Sequence, residues 1–163
     1  MTIDERIQNT VKDLINKDPL PVNPLLMALK ALKENIHVFH ADFEFRNLFA
    51  IAKKNKKGVY FYPTISGDQR TQRFILAHLL GHYYLHFFQN KNGQFYRQYH
   101  YLSDAISKKE SEADKFAYQL LMPDQVVRKL IIQNYSAKQM ANVFQISSQK
   151  VNIRLNQITE GNL

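Results

Sequence analysis

The chain contains no cysteine. That absence excludes disulfides, thiolate nucleophiles and Cys-ligated zinc, so any bound metal must be held by His, Asp or Glu. It also fits a reducing, cytosolic setting. No uninterrupted apolar run is long enough to span a bilayer. The N-terminus, MTIDERIQNTVKDLINKD, is charged and amphipathic and has no apolar core of signal-peptide type. The expectation is a cytoplasmic protein with no membrane partner. Neither an internal repeat nor a low-complexity tract interrupts the chain.

What is present fits one ordinary core with a small appendage. The 163 residues are 45% hydrophobic, too short a chain for two full domains. The formal charge of +8, from 22 Lys+Arg against 14 Asp+Glu, biases the surface toward nucleic acid or an acidic partner without establishing either. The densest basic cluster, Lys53, Lys54, Lys56 and Lys57, brackets Asn55 and runs into Gly58. Because it lies between two strand-like segments, it reads as a solvated hairpin turn whose lysines discourage edge pairing.

Local pattern predicts the element order. A first helix covers roughly Ile3 to Ile15, and DPLPVNP forms an extended connector because Pro19, Pro21 and Pro24 disfavour helix before them. A second helix begins near Pro24, carries Leu25, Leu26, Leu29 and Leu32, and ends at Asn35. IHVFH, LFAIAKK and VYFYP are short runs of β-branched and aromatic residues, which predict a small antiparallel sheet. From Arg70 to Phe88 apolar residues surround the helical cylinder, so that helix should be buried on every side. In a later helix Ala113, Phe116, Ala117, Leu120 and Leu121 follow i, i+3, i+4, i+7, i+8, and Pro123 ends it.

Two of these helices carry the chemistry. His78 and His82 lie four residues apart, which sets both imidazoles on one face, one turn apart. Such a pair alone is common among core and surface histidines. On the later helix Glu110 and Asp114 are also four apart, and two such faces meeting would complete a cation site. The competing reading keeps the same residues as hydrogen-bonded polar groups of the core.

RFILAHLLGHYYLH followed by ESEADKFAYQLLMP resembles the ImmA/IrrE family of zinc metallopeptidases, and the match covers roughly Arg70 to Pro123. That family, like other gluzincins, draws two His from an H-E-x-x-H helix and a Glu from an E-x-x-A-[DN] helix. The resemblance implies that His78, His82 and Glu110 are metal ligands and that Asp114 orients a ligand imidazole. Two neutral imidazoles and one carboxylate give Zn²⁺ a site of net single positive charge with room for a water. Iron or manganese suits the same donors. His86, at i+8, is expected to pack or hydrogen-bond beside the site, and Glu112, two residues from Glu110, to face away.

One departure bears on activity. Where the family has H-E-x-x-H, this chain reads His78-Leu79-Leu80-Gly81-His82, so an aliphatic group replaces the general base. Zinc alone lowers the pKa of bound water to about 7, but amide cleavage also needs a proton delivered to the leaving nitrogen. Loss of a general acid/base costs about 10²–10⁴ in rate, roughly 3–5 kcal/mol of barrier. Tyr83, Tyr84, His100 and the loop before Ser103 are the candidates for a substitute.

After Pro123, YSAKQMANVFQISSQKVNIRLNQI has a helix-turn-helix rhythm. Ser136 caps a helix bearing Met140, Ala141 and Phe144, Ile146 fills the turn, and Ser147 or Ser148 caps a helix bearing Val151 and Leu155. Gln149, Lys150, Asn152 and Arg154 are expected largely on the solvent side, available to DNA or to a partner protein. A single short unit offers few phosphate contacts, so DNA binding is expected to be weak.

The predicted fold is α+β: a zincin-like metal-binding domain over residues 1–125 with a small antiparallel sheet, followed by a helix-turn-helix-like helical tail over 126–163. The resemblance implies regulation of a helix-turn-helix repressor of a mobile element such as a prophage, or of a stress response. Three readings remain open on sequence: a degenerate metallopeptidase that binds its partner, an active zinc endopeptidase with a substitute base, and a DNA-binding regulator with a structural zinc site.

Overall fold

Lys56 and Lys57 form the turn of a tight hairpin, in which the Asn55 side chain accepts hydrogen bonds from the backbone N–H groups of Lys57 (2.8 Å) and Gly58 (3.2 Å). Around it the computed structural model describes residues 1–15, 20–32, 36–40, 48–64, 67–87, 95–100 and 108–160. The elements are α1 (Ile3–Ile15), α2 (Pro24–Leu32), β1 (Ile36–Val38), β2 (Leu48–Asn55), β3 (Gly58–Pro63), α3 (Gln69–His82), a π-helical segment (Tyr83–Phe87), β4 (Phe95–His100), α4 (Lys108–Leu121), α5 (Asp124–Ile132), α6 (Ala137–Phe144) and α7 (Ser148–Thr159). The class is α+β, as predicted. Among the described residues no helix is long and apolar enough to cross a membrane. Contacts divide the chain into two units, residues 23–117 and residues 1–22 with 118–163.

In the unit 23–117 the strands form one sheet in the order β1-β3-β2-β4. The β2–β3 hairpin and the β2–β4 pair are antiparallel, but β1 runs parallel to β3, with Ile36 opposite Val59 and Val38 opposite Phe61. The sheet is therefore mixed, which corrects the antiparallel prediction. The hairpin fixes only the β2–β3 direction; β1 joins the far edge of β3 through a connection that itself contains β2. Alternation along β3 buries Val59, Phe61 and Pro63 and leaves Tyr60 and Tyr62 partly exposed. Lys54 departs from the solvated role expected of the lysine cluster, since its ammonium donates to the carbonyl of Phe87.

α3 starts where Asp68 accepts from the Thr71 N–H at 2.8 Å, an N-cap. It is buried from Phe74 to His82. The single helix expected to reach Phe88 instead becomes π-helical at Tyr83–Phe87, and Phe88 lies outside the described residues. Asn35, expected to end α2, also lies outside them.

In the unit formed by 1–22 and 118–163, α1 buries Ile7 and Val11. Ser136 caps α6 in a reciprocal capping box with Gln139, Ile146 is buried in the turn, and Ser147 caps α7 by accepting from the Lys150 N–H. The apolar stripe of α7 differs from prediction: Val151 and Ile158 are buried, and Leu155 is only half-buried. Arg154 lies between them at 1% exposure, not on the solvent side. Its guanidinium pairs with Asp124 and donates to the Met122 carbonyl (3.3 Å) and to Gln157 Oε1 (3.4 Å). The long aliphatic stem of arginine lets the residue occupy an inward position while its head reaches polar partners.

Candidate metal centre

Gly81 allows the two functional helices to approach. A Cβ at this position would lie 3.0 Å from both the Cα and the carbonyl oxygen of Ala113 and 3.2 Å from Phe116 Cβ, so a methyl there would press on the α4 backbone. The inward faces of α3 and α4 therefore meet, and the carboxylates of α4 come within hydrogen-bond reach of the histidines of α3. His78 and His82 are 2% and 1% exposed, and Glu110 is buried with them.

Three donor atoms converge there. His78 Nε2 and His82 Nε2 lie 3.0 Å apart. Glu110 Oε2 is 3.1 Å from the first and 3.3 Å from the second. A tetrahedral zinc with bonds of about 2.0–2.1 Å places its ligand atoms roughly 3.3 Å apart, so the triangle has the edge lengths of one face of such a site.

Proton accounting says what those atoms carry. A carboxylate only accepts, so Asp114 Oδ1, 2.9 Å from His78 Nδ1, requires the proton on Nδ1 and leaves Nε2 of neutral His78 bare. Glu112 Oε2, 3.0 Å from His86 Nε2, requires the proton there and leaves His86 Nδ1 as an acceptor. That acceptor lies 3.0 Å from His82 Nδ1, which must then donate, so His82 Nε2 is bare as well. Two lone pairs and a carboxylate thus point at one another in a buried space, an arrangement that a cation relieves. His78, His82 and Glu110 could hold a metal ion.

The electrostatics agree. Burial lowers the His82 pKa to about 4, which keeps that imidazole neutral as a ligand must be. For His78 burial also favours the neutral form, but hydrogen bonds to Asp114 and Glu110 outweigh it and raise the pKa. Without a metal, a proton is drawn to the place of the cation. Burial pushes the Glu110 carboxyl upward, yet the His78 and His82 imidazoles beside it win and hold it well below the usual carboxylate range.

The remaining candidates fall as follows. Leu79, at the general-base position, is 1% exposed and apolar. Tyr83 meets Tyr84 edge-on at 4.8 Å between ring centroids, and Tyr84 stacks on Phe116 at 5.9 Å. The His100 side chain and the loop before Ser103 lie outside what is described. Glu112, expected to face away, instead contacts His86. The sequence signal for that pair was the His78, His82, His86 ladder at four-residue spacing, which needs a partner for every rung. In the other unit Gln149 and Asn152 are exposed, Lys150 Nζ sits 5.5 Å from the Tyr118 ring centroid, and Arg154 is buried.

Comparison with known proteins gives two findings. A family model described as an IrrE N-terminal-like peptidase domain matches residues 27–156. The metallopeptidase ImmA of Bacillus subtilis (strain 168) is similar to this chain, 30% identical over 96 residues, which cover 58% of this chain and 54% of that protein. The chain spans about half the length of the curated relative that it matches.

Proposed function

Because the chain belongs to the ImmA/IrrE metallopeptidase family, we propose that it is a zinc-holding, catalytically impaired member that regulates a helix-turn-helix repressor by binding it rather than cutting it. The observation that carries this reading is the pairing of a convergent donor set, His78, His82 and Glu110, with the buried aliphatic Leu79 where a base is needed. His78, His82 and Glu110 would hold a divalent cation, whose contribution would be Lewis acidity.

The chain's own residues must do the rest. His78 is oriented by Asp114 and His82 by His86, so the ligand side of the chemistry is supported. The protonic side is not. Leu79 can neither take a proton from an attacking water nor return one to the leaving nitrogen. Each carboxylate of the cluster already serves a histidine: Glu110 faces His78 and His82, Asp114 holds His78, and Glu112 holds His86. The helical segment 126–163 is assigned to partner recognition. Burial of Arg154 removes one of the two basic residues among the four candidate contacts and so weakens the case for phosphate binding.

The test is Leu79→Glu in the zinc-loaded protein, incubated with a repressor that it binds and followed by intact-mass analysis. Wild type should leave the repressor whole, and the variant should raise cleavage by about 10²–10⁴. Robust zinc-dependent cleavage by wild type would overturn the binding-only reading and establish a substitute base. A folded, zinc-loaded variant that binds but does not cut would show that more than the base is missing.

A further inference from the structure

Resting on the reading of His78, His82 and Glu110 as a metal site, we propose that His86 and Glu112 are positioning residues that fix the tautomer and ring orientation of His82. Neither touches the convergent triangle. Glu112 Oε2 lies 3.0 Å from His86 Nε2, and His86 Nδ1 lies 3.0 Å from His82 Nδ1. The Glu112 carboxylate accepts from His86 Nε2–H, His86 Nδ1 accepts from His82 Nδ1–H, and the lone pair of His82 Nε2 is left to the metal. His78 reaches the same state in one step, through Asp114 at 2.9 Å. The two ligand imidazoles are thus buttressed unequally, one by a carboxylate and the other by an imidazole with a carboxylate behind it.

The burial pattern explains the extra link. His82 is 1% exposed, whereas the Glu112 side chain is 16% exposed. The intervening imidazole lets a carboxylate near solvent act on a nitrogen whose own neighbour is His86 Nδ1. The π-helical segment carries His86 into place four residues after His82, with ring centroids 5.1 Å apart and planes tilted by 54°. That tilt lets the two Nδ1 atoms face each other.

The experiment compares zinc affinity, by competition with a chelator, for wild type, His86→Leu and His86→Asn. Leucine fills space without accepting a hydrogen bond; the asparagine oxygen can take the place of Nδ1 as acceptor. A positioning role predicts that His86→Leu loses about 10–100-fold in affinity and that His86→Asn recovers most of it. The opposite order, with leucine tight and asparagine weak, would mean that His86 only packs and would overturn the proposal. Should His86→Leu fail to fold, long-range ¹⁵N–¹H correlations on zinc-loaded wild type decide the same question. Protons on His82 Nδ1 and His86 Nε2 are expected, and a proton on His86 Nδ1 would refute the assignment. Failure of wild type to bind zinc stoichiometrically would instead sink the underlying metal reading.

Discussion

The protein buries charge in two places and treats it in two ways. In the unit formed by 1–22 and 118–163, Arg154 is surrounded by Asp124, the Met122 carbonyl and Gln157, a cation matched to acceptors that the chain itself supplies. In the unit 23–117, the ring nitrogens of His78 and His82 converge with the Glu110 carboxylate, three groups that could together hold a cation. A buried polar cluster that closes its own hydrogen-bond inventory is a structural part. One whose groups a cation would complete has the chemistry of a metal site. Arg154 is as buried as His78 and His82, so burial of the central group alone does not separate the two clusters.

The largest effect expected to sharpen this contrast comes from removing one partner of each cluster. Glu110→Ala should abolish stoichiometric zinc and the rise in melting temperature that zinc produces. Asp124→Ala should keep the zinc and cost about 3 kcal/mol in urea unfolding, toward the lower end of buried-pair losses because Asp124 is partly exposed. Elemental analysis of both variants breaks the comparison if Asp124→Ala strips the metal or Glu110→Ala retains it.

A smaller effect is expected at the helix contact. Gly81→Ala places a methyl 3.0 Å from the Ala113 backbone, an overpacking that costs roughly 1–3 kcal/mol and shifts Glu110 and Asp114 relative to the histidines. Stability and zinc affinity should fall together in this variant. An alanine accepted without either change would show that the helices are not held at their closest approach.

The smallest effect is a pH slope in the metal-free protein. His82 titrates near 4 when folded against 6.5 unfolded, so the unfolded chain takes up a proton that the folded chain refuses as pH falls from about 6.5 to about 4. Stability should fall over that window. His78, whose pKa is raised, contributes fully below about 6.5 and loses its contribution as pH rises through the raised value, so it adds no slope on the acid side. Melting curves of chelator-treated protein between pH 6.5 and pH 5 should show the decline, and His82→Gln should flatten it. An unchanged slope in His82→Gln would assign the decline to other groups.

What could be read from sequence was what periodicity and local chemistry encode. The stripe Ala113, Phe116, Ala117, Leu120 and Leu121 is buried as its spacing required, and Ser136 and Ser147 cap the helices that follow them. The His78–His82 and Glu110–Asp114 spacings lie on faces that do meet. The direction of β1 was not legible, because alternation reports which face a residue occupies and says nothing of strand polarity. Nor was the π turn at Tyr83–Phe87, since a segment apolar on all sides has no polar stripe whose phase would reveal an extra residue. Arg154 carries a charge that points to solvent, but its position, three residues from Val151 and four from Ile158, sets it on the buried face. Spacing within α4 turns Glu112 away from Glu110, and only the approach of His86 from the continuation of α3 gives it a partner at the site.

The π-helical segment also matters for comparing this chain with its relatives. A π turn is in effect one residue inserted into an α-helix. In a relative shorter by one residue between His82 and His86 that extra residue is gone and the segment returns to α-helix, so the third histidine follows the second by three positions and stays on the same face. A one-residue gap at that point in an alignment is therefore absorbed where it occurs, and homologues on either side of it can keep a histidine facing the position that Glu112 holds here.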